Sequence, residues 1–245
     1  MATDFPWETG LAALLFAVTF LAGGHVHVLR ALGMNHRRMI SFSAGMSSAY
    51  VFVHLMPELH GARTALVESA PLALWYEGMG VYYLALVGFL SFYGLDHLRA
   101  SLRSGDEENR ERQSYRIHVG GFAAYVALVS YLLVHNLEET SASIAPFAVA
   151  MTAHFLAVGH SLQEEHGELY ERRGRFALAG MVVLGWVAAL VFALPPHVLA
   201  LLVAFVSGAV IMNSAVMELP SEKEGRFVPF MIGGLVYGAL LLPLS

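Results

Sequence analysis

Three His–Glu pairs recur in the chain at a spacing of four residues: His54 with Glu58, His135 with Glu139, and His160 with Glu164. On an α-helix that spacing places both side chains on one face. Imidazole nitrogen and carboxylate oxygen together suit divalent transition metals, and the same groups pass protons. The pairs lie in or beside apolar runs, as does a single His154. An ionisable group inside an apolar helix is costly, so it ordinarily faces a cavity or a partner. The chain has no Cys, which excludes disulfides, thiolate metal sites and Cys nucleophiles. Any metal must be held by His, Asp, Glu, Asn, Met or water.

The elements that carry these groups are long and greasy. Of 245 residues, 57% are apolar and 13% charged, far from a water-soluble domain. Apolar runs near 20 residues recur, each about long enough to cross a hydrocarbon core. The pattern predicts an all-α integral membrane protein with eight transmembrane helices at roughly 10–30, 40–59, 71–98, 117–137, 145–162, 176–194, 197–217 and 227–244. The acidic start MATDFPWETG argues against a cleaved secretory signal, so the first run is expected to stay as a helix. Trp75, Tyr76, Tyr82 and Tyr83 suit an interfacial aromatic belt. Pro195-Pro196 is expected to end the sixth span with a tight connection to the seventh.

Charge orients the bundle. Thirteen of the 14 Lys and Arg fall in odd-numbered connections, and Arg63 alone lies in an even one. The positive-inside rule then puts both termini outside and the odd connections in the cytoplasm. The connection at about 99–116, RASLRSGDEENRERQSYR, reads as a short polar cytoplasmic loop within one transmembrane domain covering 1–245. An internal echo links Ser41-Phe42-Ser43-Ala44-Gly45 of the second span to Ala204-Phe205-Val206-Ser207-Gly208 of the seventh. The two spans run in opposite senses, the relation expected of an inverted repeat of helices 1–3 and 6–8.

Topology assigns depth to the polar residues. His54, Glu58, His135, Asn136 and Glu139 fall toward the outer side, with His160, Glu164 and Asn213 toward the inner side. His154 lies about 14 Å into its span, near the midplane. His25, His27, Asp96, His97, His118 and Glu218 fall near the inner surface, where such groups snorkel to headgroups and need no function. Small residues such as Gly45, Ser47 and Ser48 are expected to be close-packing positions. His160 and Glu164 can equally sit on a solvated helical extension, EEHGELYERRGR. Only 19 residues separate His135 from His154, whereas equal depth on consecutive helices needs roughly 30. The two are not expected at one level.

The string SFSAGMSSAYVFVHLMPEL, the His135-Asn136-Leu137-Glu138-Glu139-Thr140 string and the acidic end SGAVIMNSAVMELP resemble the ZIP (Zrt/Irt-like) family of divalent metal transporters. The resemblance implies a ZIP-like bundle and metal ligands at His135, Asn136 and Glu139. Glu138 and Thr140 stand where the family has Pro and Gly. Val158 stands where a Glu follows the fifth-helix ligand matched by His154. A rearranged site using His54, His154 and Asn213 is an alternative to the family's two-metal centre.

The function expected is transport of Zn²⁺ or Fe²⁺ as cargo across a cell (plasma or inner) membrane. No prosthetic group and no nucleic-acid partner are expected, and a homodimer is open as the assembly. Two other readings stand beside it: a ZIP-fold relative that senses or assists without transporting, and a membrane zinc hydrolase built from Asp96 with His25, His97 and His160. Haem held by paired His is a fourth.

Overall fold

The computed structural model of the protein describes residues 7–22, 36–69, 78–103, 108–135, 144–214 and 226–242. Helices are the only regular secondary structure among them. In order they are α1 (Trp7–Ala22), α2 (His36–Tyr50), α3 (Met56–Ser69), α4 (Gly80–Arg103), α5 (Glu108–His135), α6 (Ile144–Leu169), α7 (Arg175–Val191), α8 (Pro196–Met212) and α9 (Phe227–Leu241). A π-helical turn at Val51–Leu55 joins α2 to α3, and another at Tyr170–Gly174 joins α6 to α7.

Among the described residues three stretches, Gly80–Leu98, Arg110–His135 and Phe147–Val191, are long and apolar enough to cross a membrane. The helices also turn greasy faces outward. On α1 the buried stripe is Thr9, Ala12, Ala13, Phe16, Ala17 and Phe20, while Leu11, Leu14, Val18 and Leu21 are exposed. On α9 the buried residues are Gly233, Tyr237, Gly238 and Leu241, and Phe227, Val228, Leu235 and Leu240 are exposed. Small and aromatic residues inward, with a row of Leu, Val and Phe left exposed outward, is an arrangement suited to a lipid surround. Membrane association follows from both observations.

Helix ends depart from the sequence expectation in three places. The polar stretch at 99–116 is largely helical: α4 continues to Arg103 and α5 starts at Glu108. Arg110, Glu111, Arg112 and Gln113 are strong helix formers, so hydropathy alone ends the helix too early. The fifth and sixth spans are joined by helical residues, but Gly167 takes φ 48°, ψ −120°, which side-chain-bearing residues avoid. There the axis bends sharply. Tyr170 Oη comes 3.1 Å from where a Cβ on Gly159 would sit, although eleven residues of straight helix separate the two by about 16 Å. Finally, α7 stops at Val191, and Phe192–Pro195 intervene before α8 opens with Pro196 in its first turn. Proline has no N–H to leave unpaired in that first turn.

The described structure divides into two compact units. One comprises Met1–Gly24 and Ala123–Ala193. In it α1 packs on α6 and α7, with Phe16 edge-on to Phe155 at 5.1 Å between ring centroids. Trp186 Nε1 donates to Thr9 Oγ1 across the α1–α7 contact at 3.2 Å, and Tyr131 Oη donates to Phe192 O at 2.7 Å.

The other unit comprises His25–Phe122 and Leu194–Ser245, and α2 pairs with α9 while α4 pairs with α8. Both pairs are notched by glycine. A Cβ on Gly45 would fall 2.1 Å from Phe230 O, and one on Gly233 would fall 2.2 Å from Phe42 O. Likewise a Cβ on Gly208 would fall 1.8 Å from Ala85 O, and one on Gly88 would fall 2.0 Å from Phe205 O. As numbers rise on α2 they fall on α9, and the same holds for α8 and α4, so both crossings are antiparallel. Phe42 and Gly45 do on α2 what Phe205 and Gly208 do on α8, at the same separation. In that register Tyr50 corresponds to Asn213. π-helical geometry begins at Val51 on the first helix and at Asn213 on the second, within one residue of equivalence.

Candidate metal-ligating sites

His54 sits inside the π-turn Val51–Leu55, and Glu58 lies in the first turn of α3. The break has a local cause. Pro57 carries no N–H, so an uninterrupted α-helix would leave the carbonyl four residues back unpaired. Here Met56 N–H reaches back to Val51 O instead. The Phe52 carbonyl thereby loses its α-helical donor, Met56, and its π-helical donor would be Pro57, which has none. An apolar helix thus presents a carbonyl oxygen without its backbone donor in the same turn as His54. His54 Nε2 stands 4.0 Å from Glu58 Oε2, both side chains being half-buried. The His54 ring lies against Tyr50, 5.2 Å between centroids. Nearby on α3, His60 is exposed with its Nδ1 3.5 Å from Tyr82 Oη. Imidazole and carboxylate on one face beside a helix break form an N/O donor pair of the kind a divalent cation accepts.

In the unit built on α1, His154 lies 3% exposed on the buried stripe of α6, with Met151, Phe155, Val158 and Leu162. Its Nε2 is 3.2 Å from Tyr125 Oη, the two rings standing edge-on at 76°. A phenol is thus one partner of His154, and Val158 one turn on adds no carboxylate. Tyr125 precedes His135 by ten residues on α5, about 15 Å along the axis. His135 and His154 accordingly lie at different levels, as their short separation in sequence implies. His135 ends α5 against Tyr131 at 4.9 Å between centroids. Its Nε2 is buried and has no hydrogen-bond partner among the described residues. Asn136, Glu138 and Glu139 lie outside the described residues.

His160 and Glu164 do meet, Nε2 to Oε1 at 3.3 Å. Glu164 is mostly exposed, and His160 is turned about 120° around the helix from His154. The pair is thus a site by itself or a surface ion pair, not a continuation of His154.

Asn213 lines a cavity with Asp96 and His118, and His54 is not among its walls. Asp96 and His118 are the residues that sequence reasoning set aside as interfacial. The signal available was Asp96 itself, the one charge within Gly80–Leu98. Of the alternative hydrolase set, Asp96 is half-buried whereas its neighbour His97 is exposed and stacks on Tyr93. The two do not share a face. His25 lies outside the described residues, as do His27 and Glu218.

No family model, no curated protein and no solved structure matches the chain.

Proposed function

We propose that the chain is a membrane permease for a divalent transition-metal cation, Zn²⁺ or Fe²⁺, with eight transmembrane helices, both termini outside and a ZIP-like arrangement. The observation that carries this reading is the matched pair of glycine crossings, α2 on α9 and α8 on α4, each helix of the echo breaking into π geometry within one residue of the equivalent place. Inverted repeats with interrupted helices are how secondary transporters build a site that opens alternately to two sides. The charge pattern, with 13 of 14 basic residues in odd connections, supports the orientation. At the break in the first repeat, His54 and Glu58 supply nitrogen and oxygen donors, which hold such a cation without thiolate and so release it readily.

A relative of the same fold that binds without transporting is the second reading. Val158 favours it, because α6 carries an apolar side chain where a carboxylate would help a cation through, and His154 meets Tyr125 of α5 instead. Proteoliposomes holding the full chain separate the two. Saturable Zn²⁺ or Fe²⁺ uptake above protein-free vesicles is the expected result, and uptake equal to the protein-free control ends the permease reading.

A further inference from the structure

Asn213 closes α8 where its π-helical end begins, and it is 2% exposed. Its amide nitrogen Nδ2 has no hydrogen-bond partner among the described residues, an arrangement that native interiors rarely tolerate without a ligand or water. The cavity it lines with Asp96 and His118 is otherwise walled by Phe92, Leu95, Phe122 and Met212, and all seven residues belong to one compact unit. Its size suits one water-sized particle. Phe122 stands edge-on to both His118, at 5.2 Å, and Phe92, at 5.8 Å, which fixes the imidazole against a rigid wall.

The donor chemistry is complementary to a cation. Asp96 brings a negative charge, His118 a ring nitrogen, and Asn213 a carboxamide whose oxygen and nitrogen exchange places on a half-turn of its terminal torsion. The set brings one carboxylate to otherwise apolar walls, where attraction for a positive ion is stronger than in water. A small anion would meet the Asp96 carboxylate unfavourably, and a neutral molecule larger than water would not fit.

We infer that this cavity binds a single divalent cation through Asp96, His118 and Asn213. Its role as a second station for cargo rests on the permease reading, and the binding itself does not. The position agrees with that role: Asn213 marks the break in α8 that corresponds to the His54 break following α2, so each interrupted helix carries one N/O donor set.

Co²⁺ serves as the probe, because its visible absorption reports nitrogen and oxygen ligation directly. The detergent-solubilised full chain is titrated in a background of His54→Ala with Glu58→Gln, which removes the other donor set of this unit. Asp96→Asn is expected to weaken a Co²⁺-binding component at least about tenfold, the lower end of what loss of even an outer-shell partner costs. Asn213→Asp, which adds a carboxylate, is expected to tighten the same component. Misfolding would weaken both variants, so opposite shifts cannot arise from it. Unchanged Co²⁺ affinity in Asp96→Asn, or weakened affinity in Asn213→Asp, overturns the site and leaves water as the occupant. Co²⁺ binding of this kind without Zn²⁺ uptake by the unsubstituted chain leaves the site standing and ends the permease reading. Uptake with binding indifferent to Asp96 does the reverse.

Discussion

Gly208 of α8 meets Ala85 of α4 backbone to backbone: a Cβ on Gly208 would fall 1.8 Å from Ala85 O. No side-chain movement relieves such an overlap, since the obstructing atom is a carbonyl. Gly208→Ala is therefore expected to force the helices apart and to cost about 1–3 kcal/mol or more. Gly45→Ala, facing Phe230 O, should behave alike. Thermal unfolding in detergent measures both, with Gly180→Ala as control, because nothing lies within 4 Å of a Cβ there and helix propensity alone should make it neutral or stabilising by up to about 1 kcal/mol. Equal melting temperatures for Gly208→Ala and Gly180→Ala would contradict the crossing.

Gly167 poses a different problem. A Cβ there meets nothing within 4 Å, but φ 48° with ψ −120° is strained for any residue with a side chain. Gly167→Ala is expected to destabilise by about 1–3 kcal/mol through backbone strain, with no gain from the open space. A melting temperature raised by Gly167→Ala would show that the bend accepts an ordinary conformation.

The π-turn at His54 exists where Pro57 withholds a donor. Pro57→Ala restores that N–H and lets the helix run on in α register, shifting His54 relative to Glu58. The variant is expected to melt higher than the parent and to take up Zn²⁺ more slowly in proteoliposomes. Stability and uptake rising together would remove the π-turn from the mechanism. Glu58→Gln, which leaves the backbone untouched, should lower apparent Zn²⁺ affinity with little change in melting temperature.

Tyr125→Phe removes the phenol that His154 Nε2 meets at 3.2 Å. A buried polar atom stripped of its partner costs about 1–3 kcal/mol. His154→Phe on top of it should recover part of that loss, giving a coupling of about 0.5–3 kcal/mol in a double-mutant cycle. Additive effects would deny the contact.

Because the chain has no Cys, each introduced thiol is the only one to label. A membrane-impermeant maleimide applied to intact cells is expected to modify Ala2→Cys and Ser245→Cys but not Ser104→Cys until the membrane is permeabilised. Labelling of Ser104→Cys in intact cells would invert the assigned orientation.

Helix class, membrane character and the pairs His54–Glu58 and His160–Glu164 were legible from sequence, because each depends on hydropathy or on the 3.6-residue repeat along one chain segment. Helix ends at Arg103 and Glu108 were not, since a charged helix continues past the point where hydropathy falls. The notch residues Gly45 and Gly208 could be seen as an echo, but what faces them could not. Which distant residues converge was decided by tertiary structure alone: Tyr125 on His154, and Asp96 with His118 beside Asn213. Those meetings depend on where two helices cross and how each is rotated at the crossing. Tyr125 and His154 are 29 residues apart in sequence and sit on different helices, and Asp96 and Asn213 are farther apart still, so no local pattern around Asn213 or His154 encodes its partner.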